Sequence, residues 1–258
     1  MDTWNPEQYE KFRHEREQPF FDLLALVKPA PAMRVVDLGC GTGKITALLH
    51  ARLQARETIG LDRSAKMLEE AAGGEPIPGL RFEVGTIEAF DARSAYDLIF
   101  SNAAFHWVEH HDALIPRLAA ALAPGGQLAF QVPAMHGALS HTVAEDLTAV
   151  DPFRDGFGGW SRPQPVLTPD AYARLLYRAG FADHHVRLVV YPHVLESRED
   201  VVEWMKGTLL TEYARHLPPE LFTRFVNEYR TRLVTALDAE RPFFFPFNRI
   251  LCWGRRPA

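Results

Sequence analysis

Residues 34–43 read Arg34-Val35-Val36-Asp37-Leu38-Gly39-Cys40-Gly41-Thr42-Gly43, a short β-branched run that breaks into a turn with three glycines ahead of the helical stretch Ile45 to Leu53. Backbone amides at a helix start face outward, and glycines let a ligand approach the main chain, so the strand, turn and helix form a ligand cradle. A dinucleotide turn follows the pattern G-x-G-x-x-G. Here the third expected position holds Lys44 and Gly43 sits one residue early, which departs from the nicotinamide type. The next strand, Thr58 to Asp62, ends in a carboxylate placed to accept two hydrogen bonds from ribose hydroxyls. Both halves of a nucleoside site are then present.

Outward from this unit the same alternation continues. Ser64 is the expected N-cap of a helix to Ala72, and further strands are expected at Arg81–Val84, Tyr96–Phe100 and Gln127–Val132, the last after a helix from Ala113 to Leu122. Strands alternating with helices predict a parallel, doubly wound α/β sheet. Before it, a packing helix is expected from Pro19, with Pro29 and Pro31 ending the pattern.

After Val132 the rhythm breaks. Residues 133–167 read as a cap insertion rich in glycine, proline and aromatic residues, and the core resumes with a helix from Thr168 to about Ala179 and a sixth strand from Val186 to Tyr191. Ser197-Arg198-Glu199-Asp200 resembles a capping box opening a helix to about His216. Pro219 opens another to about Ala239, and residues 247–254 close the chain as a seventh strand. The expected divisions are therefore 1–32, 33–132, 133–167, 168–195, 196–246 and 247–258.

The formal net charge of -5 over 258 residues argues against a surface built to neutralise a phosphate backbone, so no nucleic-acid partner is expected. Two cysteines, Cys40 and Cys252, provide no disulfide framework, which fits a cytoplasmic compartment. No apolar run reaches membrane-spanning length, and the first residues lack a signal-peptide layout. The pairs His110-His111 and His184-His185 have no further ligands at coordinating spacing, so no metal is expected.

With Asp37 and the glycines at 39, 41 and 43, the chain resembles the class I S-adenosylmethionine-dependent methyltransferases, whose first motif is a strand running into D-x-G-x-G-x-G. The likeness continues through Gly60-Leu61-Asp62, the strand Tyr96 to Phe100, and Leu122-Ala123-Pro124-Gly125-Gly126. It implies a Rossmann-like, seven-stranded, mostly parallel sheet with helical caps after strands 5 and 6, and S-adenosyl-L-methionine as cofactor. It also implies that Asp62 holds the ribose, that Asp37, Gly39, Cys40 and Gly41 approach the methionine moiety, and that Gly85, Thr86 and Ile87 border adenine. Arg63, Met67 and Asn102 complete the implied cofactor contacts. Many members carry an acid where Thr86 stands; a hydroxyl there accepts a hydrogen bond more weakly.

A narrower likeness rests on Trp4-Asn5-Pro6, Tyr9, Phe12, Glu15-Arg16, Asn102-Ala103, His106-Trp107 and the closing residues 247–255. These resemble the trans-aconitate 2-methyltransferase group. They imply Tyr9 as part of a lid over the cofactor, Arg16 as a carboxylate anchor beside it, and His106 and Trp107 as acceptor contacts. The expected acceptor is a small carboxylic acid, already ionised at neutral pH and needing no catalytic base. Its cationic anchors are sought among Arg154, Arg162, Lys206, Arg241 and Arg249, with Arg249 foremost. Two alternatives stay open: another aromatic or apolar small metabolite as acceptor, and cofactor binding without catalysis.

Overall fold

The computed structural model describes residues 13–73 and 75–258. Along the chain come α1 (Arg13–Leu24), β1 (Arg34–Leu38), α2 (Lys44–Leu53), β2 (Glu57–Asp62), α3 (Ala65–Ala72), β3 (Leu80–Val84) and β4 (Tyr96–Asn102). A single 3-10 turn at Phe105–Trp107 leads to α4 (His111–Ala121), β5 (Leu122–Pro133), α5 (Leu139–Thr148), α6 (Phe153–Phe157), α7 (Pro169–Arg178) and β6 (Asp183–Leu195). Then follow α8 (Glu199–Lys206), α9 (Leu209–Ala214), α10 (Pro219–Ala236) and β7 (Phe243–Arg255).

The strands form one seven-stranded sheet in the order β3-β2-β1-β4-β5-β7-β6, with β7 antiparallel to β5. Strand β1 pairs in parallel with both β2 and β4, so the chain reverses its winding there. A crevice beyond the carboxyl ends of the strands at such a switch point is where α/β sheets bind ligands. Continuous apolar runs such as Val35-Val36 and Leu98-Ile99-Phe100 are fully buried because helices cover both faces.

Two compact units divide the chain. The core unit comprises Glu17–Pro133, Pro165–Val189 and Arg249–Ala258. In it Phe20 and Leu23 of α1 are buried beside Phe100, the Phe20 and Phe100 rings meeting edge to face at 5.7 Å. That burial explains a departure from expectation: α1 starts at Arg13 and carries Pro19 in its interior instead of beginning there. An interior proline costs about 3 kcal/mol, and two fully buried large side chains offset this at about 1.5–3 kcal/mol each.

The amino ends of the strands are fastened by side chains. Asp97 accepts a hydrogen bond from the Arg34 amide at 2.7 Å, and Gln127 bonds both the Lys28 backbone and the Trp253 indole. At the carboxyl ends, the Ser101 hydroxyl donates to the Leu38 carbonyl at 2.7 Å, and the amides of Gly39 and Cys40 donate to the Leu61 carbonyl.

The cap unit, described by itself, comprises residues 13–16, Ala134–Gln164 and Val190–Asn248 among the described residues. Its core is aromatic: Phe153, Phe157, Tyr213 and Phe225 make ring contacts with centroids 5.2–5.9 Å apart. The Tyr229 hydroxyl donates to the Ser140 carbonyl at 2.8 Å, fixing α10 to α5. The single helix expected from Ser197 to His216 is two, α8 and α9, because the chain leaves the helical path at Gly207-Thr208. Asp200 still accepts from the Ser197 amide at 3.0 Å, the return half of a capping box. Phe243 and Phe245 are buried while Phe244 is half exposed, the alternation of a strand. Among the described residues no helix is long and apolar enough to cross a membrane.

Candidate active site

The three glycines of the turn play different parts. All have positive φ, at 80°, 56° and 74° for Gly39, Gly41 and Gly43, where side chains are strained. A Cβ on Gly39 would overlap the Ala104 side chain that follows β4, and one on Gly43 would collide with the Phe82 ring and Ala71. Those two are glycines because the protein packs against them. Gly41 differs: a Cβ there would meet nothing nearer than Met67 Sδ at 3.9 Å, so its bare backbone borders open space.

Asp62, at the tip of β2, accepts from the Gly41 amide through Oδ2 and from the Ser64 amide through Oδ1, both at 2.9 Å. An ionised carboxylate has about four acceptor positions, so two remain for a ligand's hydroxyls. Asp37, at 2% exposure, lies below the turn. Its Oδ2 accepts from the Thr46 hydroxyl at 2.6 Å, and its Oδ1 is buried with no hydrogen-bond partner among the described residues. Burial pushes the Asp37 carboxyl up to about 7, opposed by the Thr46 hydrogen bond and reinforced by the Asp62 charge. An orphaned, desolvated acid beneath the turn and a half-used carboxylate at its rim fit a cationic nucleoside. Burial, with the charges of Asp37 and Asp62, holds the Cys40 thiol protonated, so it packs and does not attack.

Around this centre, Met67 is half-buried and Arg63 exposed. Gly85 follows β3 where a Cβ would press on Leu61, and Ile87 is buried. Thr86 is exposed, and its hydroxyl accepts from the Ala89 amide at 3.1 Å, capping the turn after β3. Its hydroxyl proton is still available to a ligand.

Past β4, Asn102 Oδ1 accepts from Gln131 Nε2 at 2.8 Å, and Gln131 Oε1 accepts from Arg249 Nη1 at 3.0 Å. This relay crosses β4, β5 and β7, with Gln131 and Arg249 both buried. The His106 and Trp107 rings meet at a tilt of 43° with centroids 4.6 Å apart, His106 half-buried and Trp107 40% exposed. Nearby His111 is spent structurally: one ring nitrogen pairs with the Tyr172 hydroxyl at 2.7 Å and the other with the Phe105 carbonyl at 2.9 Å. Tyr9 and the side chain of Arg16 lie outside the described residues. Sequence reading missed Thr46 and Gln131. Thr46 had a signal, a hydroxyl in the first turn of the helix after the glycines, where it faces back toward the strand.

Three of the five cationic side chains sought as anchors are paired within the chain. Arg154 meets Asp151 at 2.7 Å, Lys206 meets Glu203 at 2.9 Å, and Arg241 lies 3.7 Å from Glu199. Arg249 is held by the relay, and Arg162 lines a cavity in the cap unit. Among the described residues no three histidine, cysteine or acidic groups converge as metal ligands do.

A sheet of this order, a glycine turn open at one position and a carboxylate at the next strand tip together define a nucleoside-cofactor transferase. The chain belongs to the S-adenosylmethionine-dependent methyltransferases: the family described as "Methyltransferase domain" matches residues 9–186. It is 43% identical to trans-aconitate 2-methyltransferase of Deinococcus radiodurans, over 99% of each chain, and 38% identical to the enzyme of that name from Variovorax paradoxus, over 95% of this chain and 96% of that one. Among solved structures, the YcgJ protein of Bacillus subtilis superimposes with a TM-score of 0.62 over 95% of this chain and 99% of its own. At 17% identity this likeness speaks for the fold alone.

Proposed function

We propose that this methyltransferase methylates a carboxylate oxygen of a small acid of the trans-aconitate kind. The observation that carries the reading is the reach of the similarity. The 43% identity spans 99% of both chains, so it takes in the cap segments beyond residue 186, where the general family match stops. Acceptor choice resides in such segments, because the cofactor end of the fold is common to many chemistries.

In this reading the open backbone at Gly41 admits the methionine end of the cofactor, with Gly39 and Cys40 beside it and Asp37 buried beneath. Asp62 takes the ribose hydroxyls, Thr86 and Ile87 border adenine, and Asn102, oriented by Gln131, faces the reaction space with His106 and Trp107. Bound there, S-adenosylmethionine supplies a methyl group activated by a positive sulfur. A carboxylate acceptor is ionised well below neutral pH, so no residue has to remove its proton. This agrees with a site in which His111 is fully engaged in structural bonds and burial keeps its pKa low. The chain's work is positioning and exclusion of water. A free small molecule in the cytoplasm is the partner proposed, on the acidic net charge of -5.

The test is incubation of the purified protein with methyl-labelled cofactor and a panel containing trans-aconitate, mono- and dicarboxylic acids, phenols and amines. Labelled ester from a polycarboxylic acid is expected. Label on phenols or amines with none on any acid would overturn the reading.

A further inference from the structure

The cap unit contains a cavity lined by His136, His141, Glu145, Arg162, Gln164 and Tyr213. We propose that this cavity binds a carboxylate group of the acid acceptor, with Arg162 as its principal partner. The inference deepens the function proposed above and rests on it for the identity of the ligand.

Arg162 is the starting point. Its Nε is sealed from solvent and has no hydrogen-bond partner among the described residues. No carboxylate among the described residues approaches it within ion-pair distance, although Arg154, Lys206 and Arg241 of the same unit all have one. Arg162 is half-buried, and a desolvated guanidinium N–H left without a partner is costly, a cost that a ligand carboxylate at this atom would remove. The remaining lining supplies mostly donors. The Tyr213 hydroxyl is held protonated, burial pushing it up to about 12. His141 shares its Nδ1 with the Ser140 hydroxyl at 3.1 Å and is kept neutral, driven down to about 3 by burial, then by the charge of Arg162 and by His136. A neutral imidazole retains one N–H to donate.

Glu145 is the acid that faces the cavity. Its Oε2 accepts from Gln164 Nε2 at 2.7 Å, so Gln164 ties it down, and it makes no ion pair with Arg162 although both line the same space. A metal does not fit, because His136, His141 and Glu145 do not converge as ligands. A planar carboxylate does, since a guanidinium fork pairs with it through two parallel N–H···O bonds.

The experiment uses the full chain. Calorimetric titration with citrate, in the absence of cofactor, is compared for the native protein, Arg162→Gln and Arg162→Lys. In parallel, KM and kcat for trans-aconitate are measured, with cofactor affinity as the control for folding. Arg162→Gln should weaken citrate binding and raise KM at least about tenfold, as expected for losing a charge-assisted pair. It should leave kcat within about threefold and cofactor affinity unchanged, and Arg162→Lys should recover part of the loss. Unchanged citrate affinity, or unchanged KM, in Arg162→Gln overturns the inference even if trans-aconitate is methylated. Arginine-dependent citrate binding in a protein that methylates no acid leaves the cavity a carboxylate site but removes the function it rests on.

Discussion

The crest of the core sheet and the cavity of the cap unit are built from different materials. At the crest, the surface is made by the main chain: positive φ at Gly39, Gly41 and Gly43, with the Gly41 amide fixed by the Asp62 carboxylate. In the cap cavity, the surface is made by side chains brought together from distant segments, with Arg162, His141 and Tyr213 about one space. A ligand common to a whole family can be recognised by backbone shape, which changes slowly. A ligand particular to a few members is recognised by side chains, which substitute freely while the helices beneath them persist.

The comparison breaks most sharply at Asp62. Its replacement by alanine should weaken cofactor binding about a hundredfold in a calorimetric titration, since hydrogen bonds to a charged group contribute about 1.5–3 kcal/mol each. An unchanged affinity would mean that the crest does not hold the cofactor through this carboxylate. Next come the two glycines with opposite surroundings. Gly39→Ala forces a methyl group onto Ala104 and should cost about 1–3 kcal/mol in urea unfolding. Gly41→Ala should cost about 1 kcal/mol of stability yet lose at least about tenfold in cofactor affinity. Equal stability losses in the two would erase the distinction between a packing glycine and a ligand-facing one.

The units should also respond oppositely to pH. Folding raises the Asp37 carboxyl from 3.8 to about 7, so the folded core binds more protons than the unfolded chain between those values. Its contribution is complete below 3.8 and is lost as pH rises through 7. Folding lowers His141 from 6.5 to about 3, so its contribution is complete above 6.5 and is lost as pH falls toward 3. In thermal melts, Asp37→Asn should raise the transition by a few degrees at pH 8, with the gap closing by pH 5, whereas His141→Gln should flatten the loss between pH 6.5 and 5. The smallest effect is expected at Thr86, where alanine removes one exposed hydroxyl cap. Cofactor affinity should fall less than about threefold, with about 0.5 kcal/mol lost from stability.

What could be read in advance follows the same division. Arg34 to Gly43 and Thr58 to Asp62 are contiguous, and each residue type there answers a local demand of dihedral angle, burial or charge, so the doubly wound sheet and its crest were visible. Local rules misled where tertiary packing overrode them. Pro19 signals a helix start, but burial of Phe20 and Leu23 draws the helix through it. Ser197 signals a long helix, but α8 stops at Gly207. Gln131, inside an apolar strand, gives no hint that it links Asn102 to Arg249, because those partners are neighbours only through the order of strands. The cap cavity is less legible still: His136, Arg162 and Tyr213 share no spacing or motif, and nothing short of the folded unit assembles them.

The Phe82 ring occupies the volume that glycine leaves vacant at both Gly43 and Gly60, with hypothetical methyl groups at those positions falling 2.5 and 2.6 Å from its carbons. The three positions are therefore inherited as a lock. A side chain gained at either glycine is tolerated only in a lineage that has already exchanged the phenyl ring for something smaller, and a smaller residue at Phe82 opens a void until one glycine gives way. Change at the three positions is thereby confined to steps taken together, although none of them carries a charge or a reactive atom.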